Sequence, residues 1–318
     1  MNRRQTIPKE LRYTRNQFDA DFPDNDACLE QIKQSRWPSG MIYCATCEKE
    51  RKHYRVTGRT AYACDRCGHH VYPLAGTIFE KSTTSLRTWF QAMYLMGSTR
   101  CGISAKQVQR ETGVTYKTAW RMFKQIRYLL AEDFKLEGSS VEMDEMYYGG
   151  RRKGHTGRKL RNDEGEQIQS PVFGMLERQG RVMAFATPDT KSSTLLPIVR
   201  EYVLPKSTIF TDEYKVYGGI RNIKNQYKHR RIRHKSNVYV KGNVHTNTIE
   251  GFWSLVKRGL GGVYHSVSKK YLQTYLNEYS FRYNHRASGN LIFPLILERA
   301  SQPELLKPAA GVGKNLTV

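Results

Sequence analysis

Three acidic residues, Asp144, Asp212 and Glu250, stand in a chain of 318 residues whose formal net charge is +23. Carboxylates gathered inside a basic protein are suited to holding a divalent metal against a phosphate. Mg²⁺ takes oxygen ligands in octahedral geometry, and two such ions stabilise both the attacking and the leaving oxygen of an in-line displacement. Each carboxylate falls in a segment that reads as regular structure. Asp144 lies in the strand-like run VEMDEMYYGGR, Asp212 follows the β-favouring Ile209 and Phe210 in STIFTDEYKVYGG, and Glu250 opens the helix TIEGFWSLVKRGL. In that helix Ile249, Phe252, Trp253, Val256 and Leu260 recur at i, i+3, i+4 and i+7, which predicts a buried stripe. Asn247, Glu250, Ser254 and Lys257 share the polar side. The carboxylates are 68 and 38 residues apart in the order strand, strand, helix, an order that suits an RNase H-like core.

A second constellation is made of sulfur. Cys44-x2-Cys47 is followed, after 16 intervening residues, by Cys64-x2-Cys67, the spacing of a structural zinc site. Four thiolates complete a closed tetrahedron and leave no open position for catalysis, so His69 and His70 are not needed as ligands. Tyr54, Val56, Tyr62, Val71 and Tyr72 supply short β segments between the knuckles, which predicts a zinc ribbon. Cys28 and Cys101 stand apart and are expected to be buried free thiols.

These two centres need elements to position them. Residues 1–40 read as a lead with one short helix, 41–82 as the ribbon, 83–135 as a helical DNA-binding region, 136–300 as the α/β core with a mixed sheet, and 301–318 as a loose tail. Within the helical region Ser104 and Thr115 are candidate N-caps and Gly113 marks the turn between two helices, a helix-turn-helix pattern whose second helix turns Lys117, Arg121 and Lys124 outward. Met96-Gly97 reads as the end of the helix before them. Two basic runs bracket the carboxylates. Arg151, Arg152 and Lys153 begin the first, right after the strand of Asp144, and Arg230 and Arg231 lie in the second, ahead of the helix of Glu250. Both are expected to meet the DNA backbone.

At this point a resemblance becomes specific. The segments MDEMYYGGR, TDEYKVYGG and HTNTIEGFWSLVKRGLGGVYHSVSKKYLQTYLNEYSFRYNHR resemble the catalytic domain of bacterial insertion-sequence transposases of the DDE class, in the group that joins a zinc ribbon to an integrase-like, RNase H-like core. The likeness runs from about Cys44 to Arg286. It implies that Asp144, Asp212 and Glu250 bind catalytic Mg²⁺ or Mn²⁺, with Lys257 as their basic companion. Some members of the group carry Asn as the third residue, so Asn247 is the alternative third ligand. The implied activity is binding of transposon terminal inverted repeats followed by strand cleavage and strand transfer into target DNA, by at least a dimer on DNA.

Composition agrees with a polyanion partner. Lys and Arg number 52 against 29 Asp and Glu, which makes binding to DNA strong and salt-dependent. A ribosomal protein would share the excess without the carboxylate set. The N-terminal run has no apolar core for a secretory signal and no stretch reaches the length of a membrane span, so a cytoplasmic, nucleoid-associated protein is expected. Two other classes fit the same motifs: a DNA-binding regulator with an inert core, and an RNase H-like nuclease that cuts without joining.

Overall fold

The computed structural model describes residues 8–138, 140–149, 169–223, 226–232, 245–289 and 291–303. They form two compact units, one reaching from the N-terminal side to Leu130 and taking in the last helix, the other running from Ala131 to Arg286.

The first unit begins with two helices where one was expected, α1 (Arg15–Asp21) and α2 (Asn25–Arg36). Two separate caps explain the break. Thr14 and Gln17 form a reciprocal capping box on α1, and the Asp24 side chain accepts from the Ala27 amide to start α2. The ribbon is an antiparallel sheet, in order, of β1 (Met41–Cys44), β2 (Lys49–Arg55), β3 (Tyr62–Cys64) and β4 (His70–Val71). Helices α3 (Leu86–Ser98), α4 (Ala105–Thr112) and α5 (Tyr116–Leu129) follow. Ser104 and Thr115 cap α4 and α5 by accepting from Gln107 and Thr118, and Gly113 closes α4 at a φ of 73°.

Gly97 does not end α3, which continues to Ser98. A Cβ there would sit 2.8 Å from the Phe293 amide nitrogen of the last helix, α9 (Ile292–Ala300), so this glycine is a point of close helix approach. Phe18, Phe22, Phe90, Tyr94 and Phe293 surround the contact with ring centroids 4.9–6.4 Å apart. Cys28 is buried as expected, but Cys101 is exposed, because it falls in the loop between α3 and α4 rather than on a packed face.

The second unit is the α/β core, with a mixed sheet of the RNase H-like kind. Its strands are β5 (Ser140–Tyr148), β6 (Ser170–Glu177), β7 (Val182–Ala186), β8 (Thr208–Thr211) and β9 (Lys228–Arg231), in the order β7-β6-β5-β8-β9. The first three pair antiparallel, as a meander that turns at Gln179 and Gly180, whereas β8 and β9 join parallel to β5. Side-chain alternation then assigns two faces. Val141, Met143, Phe173 and Ile209 turn toward α6 (Ser192–Tyr202), which runs through Pro197, and toward Tyr217 in the 3-10 turn Lys215–Asn222. Met146, Val172 and Leu176 turn toward α7 (Asn247–Gly262) and α8 (Leu272–Asn284). The predicted stripe of α7 is the part that packs: Ile249, Phe252, Trp253, Val256 and Leu260 are each at most 3% exposed.

One small residue sets how near α7 comes. Gly174 on β6 pairs with Asp144, and a Cβ at Gly174 would fall 2.4 Å from the Trp253 ring. Gly174→Ala is therefore expected to push α7 off the sheet and destabilise the protein by about 1–3 kcal/mol, the usual cost of overpacking a core. A lowered urea midpoint for the full chain, measured beside the parent, checks it.

Candidate functional site

Asp144 and Asp212 are neighbours because of strand register. Glu142 on β5 stands beside Phe210 on the parallel β8, and each aspartate lies two positions further along its own strand direction, on the same sheet face. That face is the one α7 covers. Asp144, Asp212 and Glu250 line a single cavity of about 620 Å³, together with Thr246, Trp253, Lys257 and Arg258. Asn247 is exposed and is not among the lining residues. The Tyr214 amide donates to Asp212 Oδ1 at 2.9 Å, and the Thr246 hydroxyl donates to Glu250 Oε1 at 3.1 Å. The three carboxylates do not form one tight cluster: among the described residues, the four ribbon cysteines are the group of three or more Cys, His, Asp or Glu side chains whose ligand atoms all lie within 4.8 Å of one another.

The start of α7 is held by Glu142, whose side chain is fully buried. Its Oε2 accepts from the amides of Thr248 at 2.9 Å and Ile249 at 3.0 Å, and its Oε1 accepts from Thr248 Oγ1 at 3.0 Å and Arg178 Nε at 2.8 Å. Arg178 in turn lies 3.9 Å from the centre of the Phe210 ring and donates to the His245 carbonyl. Sequence reasoning did not single out Glu142. The available signal was parity, because in Val141-Glu142-Met143-Asp144 a carboxylate on the same face of a central strand as Asp144 has to find buried donors. Glu145 turns to the other face and accepts from Tyr217 at 2.6 Å. Burial first, and then the Glu145 charge, push the Tyr217 phenol well above its ordinary range, so it remains a donor.

The four ribbon cysteines fit a tetrahedral ion. Cys44 and Cys67 sulfurs lie 3.4 Å apart and those of Cys47 and Cys64 3.9 Å. A zinc–sulfur bond of about 2.3 Å in tetrahedral geometry requires about 3.8 Å between sulfurs. The His69 amide donates to Cys67 and is the main cause that draws this thiol down to about 7, toward the thiolate that metal binding needs.

Comparison with known proteins matches residues 135–284 to the ISXO2-like transposase domain and residues 23–70 to the transposase zinc-ribbon domain. An uncharacterised protein of the transposable element ISH50 in Halobacterium salinarum is 30% identical over 285 residues, 85% of this chain and 94% of that protein. The chain belongs to the ISXO2-like transposase family. An uncharacterised transposase-like protein of Haemophilus influenzae is 32% identical over 104 residues, 33% of this chain and 81% of that protein. The zinc-ribbon match spans all four cysteines, and with the sulfur geometry it supports a structural Zn²⁺ in this member of the family.

The basic residues separate by position. Lys117, Arg121 and Lys124 share one face of α5, the first two exposed and Lys124 half-buried over the Trp120 ring. Arg230 and Arg231 do not act as a pair. Arg230 shares the face of Phe210 and is exposed, while Arg231 turns to the opposite face, against Gly218 and beside His229. Arg151, Arg152 and Lys153 lie outside the described residues. Among the described residues no helix is long and apolar enough to cross a membrane.

Two outcomes follow from these environments. The purified chain is expected to carry one tightly held Zn²⁺, and Cys64→Ser to lose it, as read by elemental analysis of protein never exposed to chelator. His229 is drawn from 6.5 down to about 4, first by burial and then by Arg231 and Arg221. A folded value below the unfolded one means that the unfolded chain takes the proton first. The stability that neutral His229 contributes is complete above about 6.5 and is lost as pH falls through about 4. Urea midpoints from pH 7 to 4 should fall less steeply in His229→Gln than in the parent.

Proposed function

We propose that this chain is a DNA transposase that binds the ends of its element and catalyses strand cleavage and strand transfer, with Asp144, Asp212 and Glu250 as ligands of catalytic Mg²⁺ and Lys257 as their basic companion. The observation that carries the reading is the convergence of three carboxylates, from strand β5, from the end of the parallel strand β8 and from helix α7, on one cavity that also holds Lys257 and Arg258. The donor set is all oxygen, and its spread suits two ions rather than one, since paired catalytic ions sit about 3.5–4 Å apart. Mg²⁺, when bound, supplies Lewis acidity at the phosphodiester and at the attacking oxygen.

The residues themselves divide the remaining work. Asp144 leaves the backbone of strand β5 and Asp212 that of the residue just after β8, fixed by the Tyr214 amide, so their oxygens arrive with little freedom to lose. Glu250 completes the set from the first turn of α7. It is preferred over Asn247 because a carboxylate holds a hard cation more strongly than an amide does, and because Asn247 does not line the cavity. Lys257 lies two helical turns beyond Glu250, about 10 Å along the axis, in reach of a DNA phosphate beside the reacting one. Lys117, Arg121 and Lys124 on α5, and Arg230 on β9, offer contacts that hold the duplex in register, since phosphate contacts position while base contacts specify. Joining two ends calls for at least two copies on DNA.

Incubation with Mg²⁺ or Mn²⁺ and a labelled duplex from the element's own end tests the reading, scored for both cutting and joining. Glu250→Gln is expected to abolish both while end binding persists, and Asn247→Ala to retain activity. The reverse pattern would transfer the third ligand to Asn247, and cutting without joining would leave a nuclease. Lys117→Ala with Arg121→Ala should weaken end binding and flatten its salt dependence by about 0.9 log unit per log of salt for each phosphate that is no longer neutralised.

A further inference from the structure

We infer that Glu142 is a positioning residue of the carboxylate site, which sets where Glu250 stands relative to Asp144. This rests on the reading of Glu250 as a metal ligand.

The argument begins with an exchange of partners at the head of α7. A helix that starts after a threonine ordinarily satisfies an early amide with that threonine's hydroxyl. Thr246 occupies the N-cap position of α7 but makes no capping hydrogen bond, and its hydroxyl is given to Glu250 Oε1 at 3.1 Å. The amides of the second and third helical residues, Thr248 and Ile249, go instead to Glu142 from a strand 106 and 107 residues away in sequence. A local cap would satisfy the same amides without tying the head of the helix to β5.

The arrangement found ties it to one point. Glu142 is two positions from Asp144 on the same strand face, about 7 Å along β5. Ile249, which donates to Glu142, immediately precedes Glu250. Asp144 and Glu250 are thus joined by a path of two strand residues, one carboxylate and one hydrogen bond. Arg178 holds the other carboxylate oxygen, so Glu142 cannot turn without breaking a partly buried salt bridge as well. Lying 0% exposed and fully occupied by protein donors, Glu142 has no oxygen to offer the cavity and acts through Glu250.

The test is a double-mutant cycle on the full-length zinc-loaded protein, read by Mn²⁺ binding. Free Mn²⁺ is counted by its electron paramagnetic resonance signal, with near-ultraviolet circular dichroism as the check on folding. Glu142→Gln places an NH₂ where donors already point. It is expected to weaken Mn²⁺ binding about tenfold, the scale of residues that orient metal ligands. Glu250→Gln should weaken it by a similar factor, and the double variant by that same factor rather than the product, because the position of an absent ligand no longer matters. Should Glu142→Gln lose its native near-ultraviolet signal, Thr248→Val, which removes one donor and keeps both amides, carries the same cycle with a smaller expected loss of about threefold.

A folded Glu142 or Thr248 variant with unaltered Mn²⁺ affinity overturns the positioning role, as does a loss that multiplies with that of Glu250→Gln. If Glu250→Gln itself leaves Mn²⁺ binding unchanged, the ligand assignment under the proposed function is what fails.

Discussion

Like charges that converge on one cavity repel, and the α/β unit is organised around holding them there. Carboxylates gathered on one cavity repel at short range, and an unsupported side chain would swing into water. The fold answers with rigidity. Asp144 is held in β5 by its pairing with Gly174 of β6, and Asp212 directly follows the end of the parallel neighbour β8, where the Tyr214 amide donates to its carboxylate. Glu250 sits on a separate element and would be the one to escape. The buried Glu142, bonded to the first amides of α7, and the Trp253 ring seated on Gly174 hold that element down at its head and along its length.

The same constraint explains why the two sheet faces differ. The face toward α6 is closed by apolar side chains around Met143, Phe173 and Ile209, and its charged exception, Glu145, is stabilised by a hydrogen bond from the Tyr217 hydroxyl. The face toward α7 is apolar only around Met146, Val172 and Leu176, and gives way to Glu142, Asp144 and Asp212 where β5 runs beside β8. Glu142 is tolerated there because the helix brings its own donors, its first-turn amides at Thr248 and Ile249, to the sheet.

What the sequence made legible is what depends on short range. The apolar stripe of α7, the caps at Ser104 and Thr115, and the paired cysteine knuckles are each set by residues within a few positions, and each has the arrangement their spacing predicts. What stayed hidden depends on partners far along the chain. Gly97 reads as a helix stop until Phe293 of α9 is set against it, and Glu142 reads as half of an ordinary acidic strand until the head of α7 lies over it. Arg230 and Arg231 read as one basic patch until the pairing of β9 with β8 sends them to opposite faces. Cys101 shows the converse: isolated in sequence, it suggested burial, but a loop position between two capped helices leaves it exposed.

Charge is distributed so that attraction and chemistry are separated. The chain as a whole carries +23, yet the described residues lining the candidate cavity include the carboxylates of Asp144, Asp212 and Glu250 against two cations, Lys257 and Arg258, while Glu145, also on its wall, turns its own carboxylate toward Tyr217. DNA is therefore drawn to the protein by a field that falls off over about 10 Å at ordinary salt, while the last few ångströms into the cavity oppose a phosphate. In the proposed reading, divalent ions reverse that local sign, so that a phosphodiester enters only a loaded site. The sulfur centre has no such role: its four ligands close the coordination sphere and fix a sheet, as four-cysteine sites do. The two kinds of metal site then meet different requirements. In the proposed reading the sulfur site holds its ion permanently to keep its shape, whereas the carboxylate site is under electrostatic strain that bound ions would relieve, which would couple metal loading to admission of the substrate.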